Sequence, residues 1–268
     1  MAQNLEEIIG MKISIPKHFA KVANTANMIL DYRFNKKLEK LNSTLSSLHN
    51  IHKGKRGFLI GSGPSLNKTN LALLQNEHVI GVNTLYRGLN RFKLSPEYWV
   101  VADGKLFQEN YKELFALKNV QMFLTENAAR KYLTKYHFYH LYETTQPYVL
   151  RNLGSMNVYN TFSTDITKGI YSGGSSVINA LQIAFFLGFQ EMYLVGCDCG
   201  ITDNQYRFED TPVENRIGKG IRGEWQYLFD AYKVCKKAYE DHGRKIFNAT
   251  VGGYLEVFER KKIEDVVL

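Results

Sequence analysis

The chain has 268 residues, is 44% hydrophobic and 22% charged, and carries a formal net charge of +8. This is an ordinary globular composition, and a chain of this size buries roughly 70–75% of its unfolded surface, so no staple is needed for stability. No apolar run reaches the ~18 residues of a membrane-spanning helix. Residues 1–10 carry Glu6 and Glu7 where a secretory signal would run from basic to apolar, so a cytoplasmic location is expected.

Residues 1–56 read as a basic helical extension. Lys12, Lys17, Lys21, Lys36, Lys37, Lys40, Lys53, Lys55 and Arg56 accompany Phe19, Val22, Ala26, Ile29 and Leu30, which recur at helical intervals. Such a face suits peripheral contact with the anionic inner surface of the cytoplasmic membrane, and it equally suits packing on the neighbouring domain with the lysines in water. The positive charge favours polyanionic partners, but no stacking aromatics alternate with basic residues, which argues against nucleic acid. A homo-oligomer is left open.

From residue 57 onward short apolar runs alternate with helical patterns. Strands are predicted at 57–60, 78–82, 98–102, 120–124, 191–195 and 244–248, and helices at 66–75, 175–187 and 223–241. This order predicts an α/β, Rossmann-like domain over 57–268, with a mostly parallel sheet and helices on both faces. Ligands of such sheets sit at the C-terminal ends of the strands, where Gly61, Asn83, Asp103 and Asp198 fall. The polar stretch 201–221 is too long for an ordinary connection and is expected to be a mobile lid. Cys197, Cys199 and Cys235 make a poor disulfide framework and too small a ligand set for zinc, so all three read as reduced thiols.

Three constellations can carry chemistry. Gly61, Ser62, Gly63, Pro64 and Ser65 follow the first strand; glycines let the backbone approach an anion, and Ser65 suits a helix cap. The run lacks the Lys of a phosphate-binding P-loop and the third glycine of the dinucleotide fingerprint, and a plain tight turn is its alternative reading. Ser172, Gly173 and Gly174, followed by Ser175 and Ser176, form a second small-residue turn before the apolar helix, either anion-binding or a simple cap. Asp198 ends a strand, and Tyr206 and Phe208 follow on the lid, where a tyrosine hydroxyl can donate to a phosphate oxygen or both rings can pin the loop. No Asp-x-Asp pair ends a strand, which favours a metal-independent reaction. Asn83 and Asp103 can meet sugar hydroxyls or base edges, or satisfy loop backbone.

Taken in order, these motifs resemble the bacterial CMP-sialic acid-dependent sialyltransferases of lipooligosaccharide synthesis. They also resemble the broader family shared with motility-associated flagellin glycosyltransferases and 6-hydroxymethylpterin diphosphokinase. The resemblance covers about residues 57–250 and rests on residues 61–66, Asn83 in Gly-Val-Asn, residues 171–173, the run from Leu187 to Tyr193, and Gly196-Cys197-Asp198. Tyr206, Phe208 and Glu209 then follow eight, ten and eleven residues past Asp198. It implies that Ser62, Gly63, Ser65, Asn83, Ser172 and Gly173 hold the CMP part of a donor and that Tyr206 meets its phosphate. The implied reaction is metal-independent, inverting transfer from a CMP-activated acidic sugar, sialic acid-like or Kdo-like, to a glycan or lipid-linked acceptor in surface polysaccharide or lipooligosaccharide synthesis, with no cofactor. The family's base is a histidine before the late helix, whereas this chain has none between His140 and His242. Glu224 takes that place if burial raises its pKa, and is otherwise an exposed first-turn glutamate. Two alternatives remain: a pterin-type pyrophosphokinase using ATP and magnesium on Asp103 and Asp198, and a non-catalytic nucleotide-binding assembly protein.

Overall fold

A computed structural model describes residues 32, 34–135, 147–156, 161–201, 205–209 and 221–267, with the side chains of 131–135 and 221–225 outside that description. The chain divides into Met1–Lys40 and Leu41–Leu268. In the first unit residues 32 and 34–40 are helical, with Phe34 and Leu38 buried; the rest of the lysine-rich pattern there lies outside the described residues.

The second unit contains β1 (Arg56–Ile60), β2 (Val79–Val82), β3 (Tyr98–Val101), β4 (Gln121–Thr125), β5 (Tyr148–Leu150), β6 (Asn152–Ser155), β7 (Ile170–Ser172), β8 (Glu191–Val195), β9 (Lys245–Asn248) and β10 (Glu259–Arg260). Eight of them form one sheet in the order β10-β9-β8-β1-β2-β3-β4-β5, and β6 pairs with β7 in a second. Every pairing among these strands is parallel. The central strands are apolar without alternation, and nearly all their residues are buried, as a sheet covered on both faces requires. The Rossmann-like α/β fold expected from the sequence is the one observed.

Besides a single turn at Leu89–Phe92, the helices described in this unit are α1 (Gly104–Phe115), α2 (Glu126–Lys135), α3 (Ser176–Leu187), α4 (Ile221–Glu240) and α5 (Ile263–Val267). All of α3 is buried, which explains why it carries no charged side chain. Ser175 Oγ caps its start by accepting from Val177 N–H, and Gly188 ends it at φ +96°. Gly188 is also required by close approach, because an added Cβ would lie 2.8 Å from Asn50 Cα. There the chain before β1 closes the helix end: Asn50 N–H donates to Phe186 O at 3.0 Å and His52 N–H to Leu187 O at 2.8 Å. On the other flank Tyr239 of α4 donates its hydroxyl to Leu181 O at 2.7 Å. Each large side chain buried in this core stabilises the fold by roughly 1.5–3 kcal/mol.

Two local expectations change. The helix predicted over 66–75 is a pair of 3₁₀ turns, Pro64–Lys68 and Leu71–Leu74. Thr69 breaks it: its hydroxyl donates to Ser65 O at 2.9 Å, occupying the carbonyl its own N–H would use in an α-helix, and that N–H turns to Leu66 O instead. The sequence reading also missed α1, whose N-cap is Asp103; its Oδ1 accepts from Lys105 N–H at 2.8 Å and Leu106 N–H at 3.1 Å. Among the described residues no helix is long and apolar enough to cross a membrane.

The order of the large sheet positions the site. The chain moves outward from β1 to β5, then restarts at β8 on the other flank of β1 and continues to β10. β1 and β8 therefore form a topological switch point, and a crevice opens beyond their C-terminal ends.

Candidate functional site

A cavity of about 400 Å³ lies at that switch point. Its floor comes from Gly61, Ser62 and Gly63 after β1, Asn83 after β2, Asp103 before α1, and residues 196–200 after β8. One wall is the start of α3, with Ser172, Gly174, Ser175 and Ser176, and the mouth is formed by Tyr206, Arg207 and α4. The structure thus gathers nine of the sequence-predicted residues around one space: Gly61, Ser62, Gly63, Asn83, Asp103, Ser172, Gly174, Asp198 and Tyr206.

Pro64 and Ser65 stand behind this lining, both buried. Ser65 is 1% exposed and Asp198 3%, and the two are joined twice: Ser65 N–H donates to Oδ1 at 3.1 Å and its hydroxyl to Oδ2 at 2.7 Å. A buried carboxylate is tolerable only with such bonds. Gly63 is fixed by the same contact, since any Cβ there would overlap the Asp198 carboxylate. Asp198 borders the cavity, and its bonds also make it the clamp of the first turn.

The donor groups of that turn are largely engaged by β8. Gly61 N–H bonds Val195 O at 2.8 Å and Gly63 N–H bonds Gly196 O at 2.9 Å, extending the β1–β8 ladder. The second turn differs. Gly174 stands at φ +78°, and among the described residues the N–H groups of Gly173, Gly174 and Ser175 have no hydrogen-bond partner. They sit at the positive end of α3. Gly173 is packed so closely on Ile178 that a Cβ would collide with it, and Tyr227 donates its hydroxyl to Ser172 O at 3.1 Å.

Asn83 takes the left-handed conformation at φ +49°. Trp99 Nε1 donates to its carbonyl at 3.2 Å, and Ser176 Oγ donates to its Oδ1 at 2.8 Å. Trp99 reaches it because Gly81 leaves room; a Cβ there would lie 2.5 Å from the indole ring. The Asn83 side chain is thereby held between β2 and α3, while its Nδ2 makes no hydrogen bond among the described residues. Asp103, with Oδ1 occupied by its helix, still borders the cavity.

On the far side Phe208 pins residues 205–209. Its N–H donates to Ser62 O at 3.0 Å, its carbonyl accepts from Asn67 Nδ2 at 3.0 Å, and its ring meets Phe92 edge-on at 5.3 Å. Arg87 adds an ion pair to Glu209 at 2.7 Å. Tyr206, by contrast, is 47% exposed at the mouth. The two aromatic residues that the sequence left equivalent therefore divide the roles, one anchoring and one facing the cavity. The rest of the expected lid, 202–204 and 210–220, lies outside the described residues, as does the side chain of Glu224 in the first turn of α4.

Sequence reasoning missed Arg207, Asn179 and Tyr232, which all border the cavity. Ser176, Asn179 and Gln182 were legible: three polar residues spaced by three in an otherwise apolar helix. Gln182 grips the strand before the second turn, accepting from Tyr171 N–H at 3.0 Å and donating to Tyr171 O at 2.8 Å. The cysteines are all free. Burial pushes the Cys199 thiol up to about 12, and raises Cys197, Cys235 and the Tyr232 hydroxyl well above their ordinary values.

The sequence profile of the 6-hydroxymethylpterin diphosphokinase MptE-like family matches residues 32–204. The MAf glycosyltransferase of Magnetospirillum magneticum AMB-1 shares the fold with a TM-score of 0.50 and 18% identity over 84% of this chain. This chain spans only 38% of that protein's length. The Campylobacter jejuni sialyltransferase CstII, solved with the substrate analogue cytidine-5'-monophosphate, gives a TM-score of 0.47 at 18% identity, covering 78% of this chain and 85% of its own. No curated protein matches the chain in sequence. With more than half of its length matched, this chain belongs to the 6-hydroxymethylpterin diphosphokinase MptE-like family.

Proposed function

We propose that this protein is a transferase acting on a nucleotide-activated donor, and that the donor is a CMP-activated acidic sugar. The observation that carries the reading is the set of open N–H groups at Gly173, Gly174 and Ser175, at the positive end of a fully buried helix that borders the switch-point cavity. A phosphate is the natural occupant of such a place. The first turn contributes shape through Gly61 and Gly63, and Ser62 and the free amide of Asn83 are suited to the nucleoside.

In this reading the acceptor hydroxyl attacks the anomeric carbon while the bond to the CMP oxygen breaks, and CMP leaves with the electron pair. Tyr206 donates a hydrogen bond to the departing phosphate and Arg207 balances its charge. The hydroxyl proton passes to a base, the role proposed for Glu224. A glycan or lipid-linked acceptor would enter past Tyr206, Tyr227 and Tyr254, which are exposed near the mouth. A site beside an anionic cytoplasmic membrane would suit both this acceptor and the basic chain.

A second reading rests on the family itself: pyrophosphoryl transfer from ATP with magnesium held by Asp103 and Asp198. It would ask Asp198 to hold the metal on lone pairs beyond the two that accept from Ser65, and Asp103 to do so with Oδ1 already bonded to its helix. Thermal melts with CMP, CDP, UDP, GDP and ATP, each with and without magnesium, separate the two. A rise in Tm with CMP that is indifferent to magnesium is expected; a rise with ATP alone, requiring magnesium, would overturn the first reading in favour of the second.

A further inference from the structure

At the opposite edge of the sheet, where β1, β2 and β3 begin, His52, His78 and Glu97 converge. One donor atom from each lies within 4.8 Å of the other two. Among the described residues no other set of His, Cys, Asp or Glu side chains comes together this closely. His78 Nδ1 is 3.0 Å from both carboxylate oxygens of Glu97, and His52 Nε2 is 3.8 Å from Oε2. Ligands bound at ~2.05 Å in a tetrahedral shell stand about 3.3 Å apart, so these separations bracket what a zinc ion needs. Tyr98 Oη, 2.6 Å from His52 Nε2, is a fourth donor at the same point.

The backbone holds these groups in place without any ion. His78 O accepts from Phe58 N–H at 2.8 Å, and Glu97 bonds on both sides, its N–H to Val79 O at 3.0 Å and its carbonyl to Gln121 N–H at 2.8 Å. The His52 ring stacks on Phe189, with centroids 4.5 Å apart and planes at 13°, and the backbone N–H of His52 is tied to the end of α3. The two imidazoles lie 4.3 Å apart. His52 is 12% exposed and Glu97 43%, so the group is half-sheltered with a way in from solvent.

We propose that His52, His78 and Glu97 bind one zinc-class divalent cation, with Tyr98 completing the shell. Two imidazole nitrogens and one carboxylate suit a borderline metal, whereas magnesium and calcium take oxygen-only sets. The ion would clip the starts of three adjacent strands to the C-terminal end of α3, away from the cavity, so the site is structural and independent of the reaction proposed above.

The test uses the full chain stripped with chelator and titrated with zinc chloride alone. One zinc per chain is expected, with Tm rising by about 5 °C or more at a hundredfold excess over Kd. His78→Ala and Glu97→Gln are each expected to weaken binding at least about tenfold. Cobalt substituted into the wild-type chain supplies a readout that does not depend on variants folding: an absorption spectrum of nitrogen and oxygen ligation, without a thiolate charge-transfer band. Absence of saturable binding, wild-type affinity in both variants, or a thiolate band from the cysteines would each overturn the proposal.

Discussion

The two small-residue turns at the cavity look alike as sequence, Gly-Ser-Gly-Pro-Ser and Ser-Gly-Gly-Ser-Ser, yet the structure uses them in opposite ways. The first is closed: its glycine N–H groups complete the β1–β8 ladder, and Ser65 fastens it to the buried Asp198. The second is open: its N–H groups at the head of α3 meet no acceptor among the described residues. Glycine serves close approach to a carboxylate at Gly63 and left-handed geometry at Gly174. A glycine-rich turn can offer its amides to an anion only where they are left over from the fold.

The strongest way to break this contrast is to remove the clamp. Asp198→Ala leaves the Ser65 N–H and hydroxyl buried without their acceptor, and a loss of about 3 kcal/mol is expected. Thermal melting should register that as a fall in Tm of roughly 6–12 °C. An unchanged Tm would mean the first turn stands without the carboxylate.

Next in size is the mouth. Tyr206→Phe removes only a hydroxyl from a half-exposed ring, so stability should hold while turnover falls about 10- to 100-fold at constant donor affinity. Steady-state kinetics separates these quantities. A change in donor affinity alone would reassign Tyr206 to binding, and equal turnover would remove its role.

Gly174→Ala sharpens the comparison from the other turn. An alanine at φ +78° is strained by about 1 kcal/mol, so Tm should drop by only about 2–4 °C. CMP affinity, read by calorimetry, should nevertheless fall about tenfold or more. Equal damage to stability and binding would erase the distinction between an open and a closed turn.

The smallest expected effect is none. With Cys199 raised to about 12 by burial, and Cys197 and Cys235 raised likewise, the native protein should resist alkylation at pH 8. The unfolded thiols titrate at about 8.5. Because the folded values are higher, the stability these groups contribute is complete below that pH and is lost as pH climbs toward 12. Alkylation of the native chain at pH 8, counted by mass spectrometry, checks this; rapid labelling of Cys199 would show the wall behind the cavity to be loose.

Much of the architecture was legible because parallel strands buried on both faces write themselves as unbroken apolar runs; β8 matches its predicted bounds, 191–195. Helix 66–75 was misread because its break depends on a side chain, Thr69, competing for a single carbonyl. α1 escaped because its signal is the cap Asp103, whose place at a strand end equally suits ligand chemistry. At the site, strand-end positions placed Gly61, Asn83, Asp103 and Asp198 correctly around the cavity. What they contribute was hidden, since a carboxylate taken up by Ser65 is visible only in three dimensions. Arg207 carried no sequence signal beside Tyr206, and the convergence of His52, His78 and Glu97 depends on strand register across β1, β2 and β3.

The proposed function stands on recognition of a phosphate by the open amides before α3 without help from a metal. Calorimetric titration of the wild-type chain with CMP and with cytidine, in chelator, tests it most directly. CMP is expected to bind about a hundredfold more tightly than cytidine under those conditions. Equal affinities, or binding that returns only with magnesium, would contradict it.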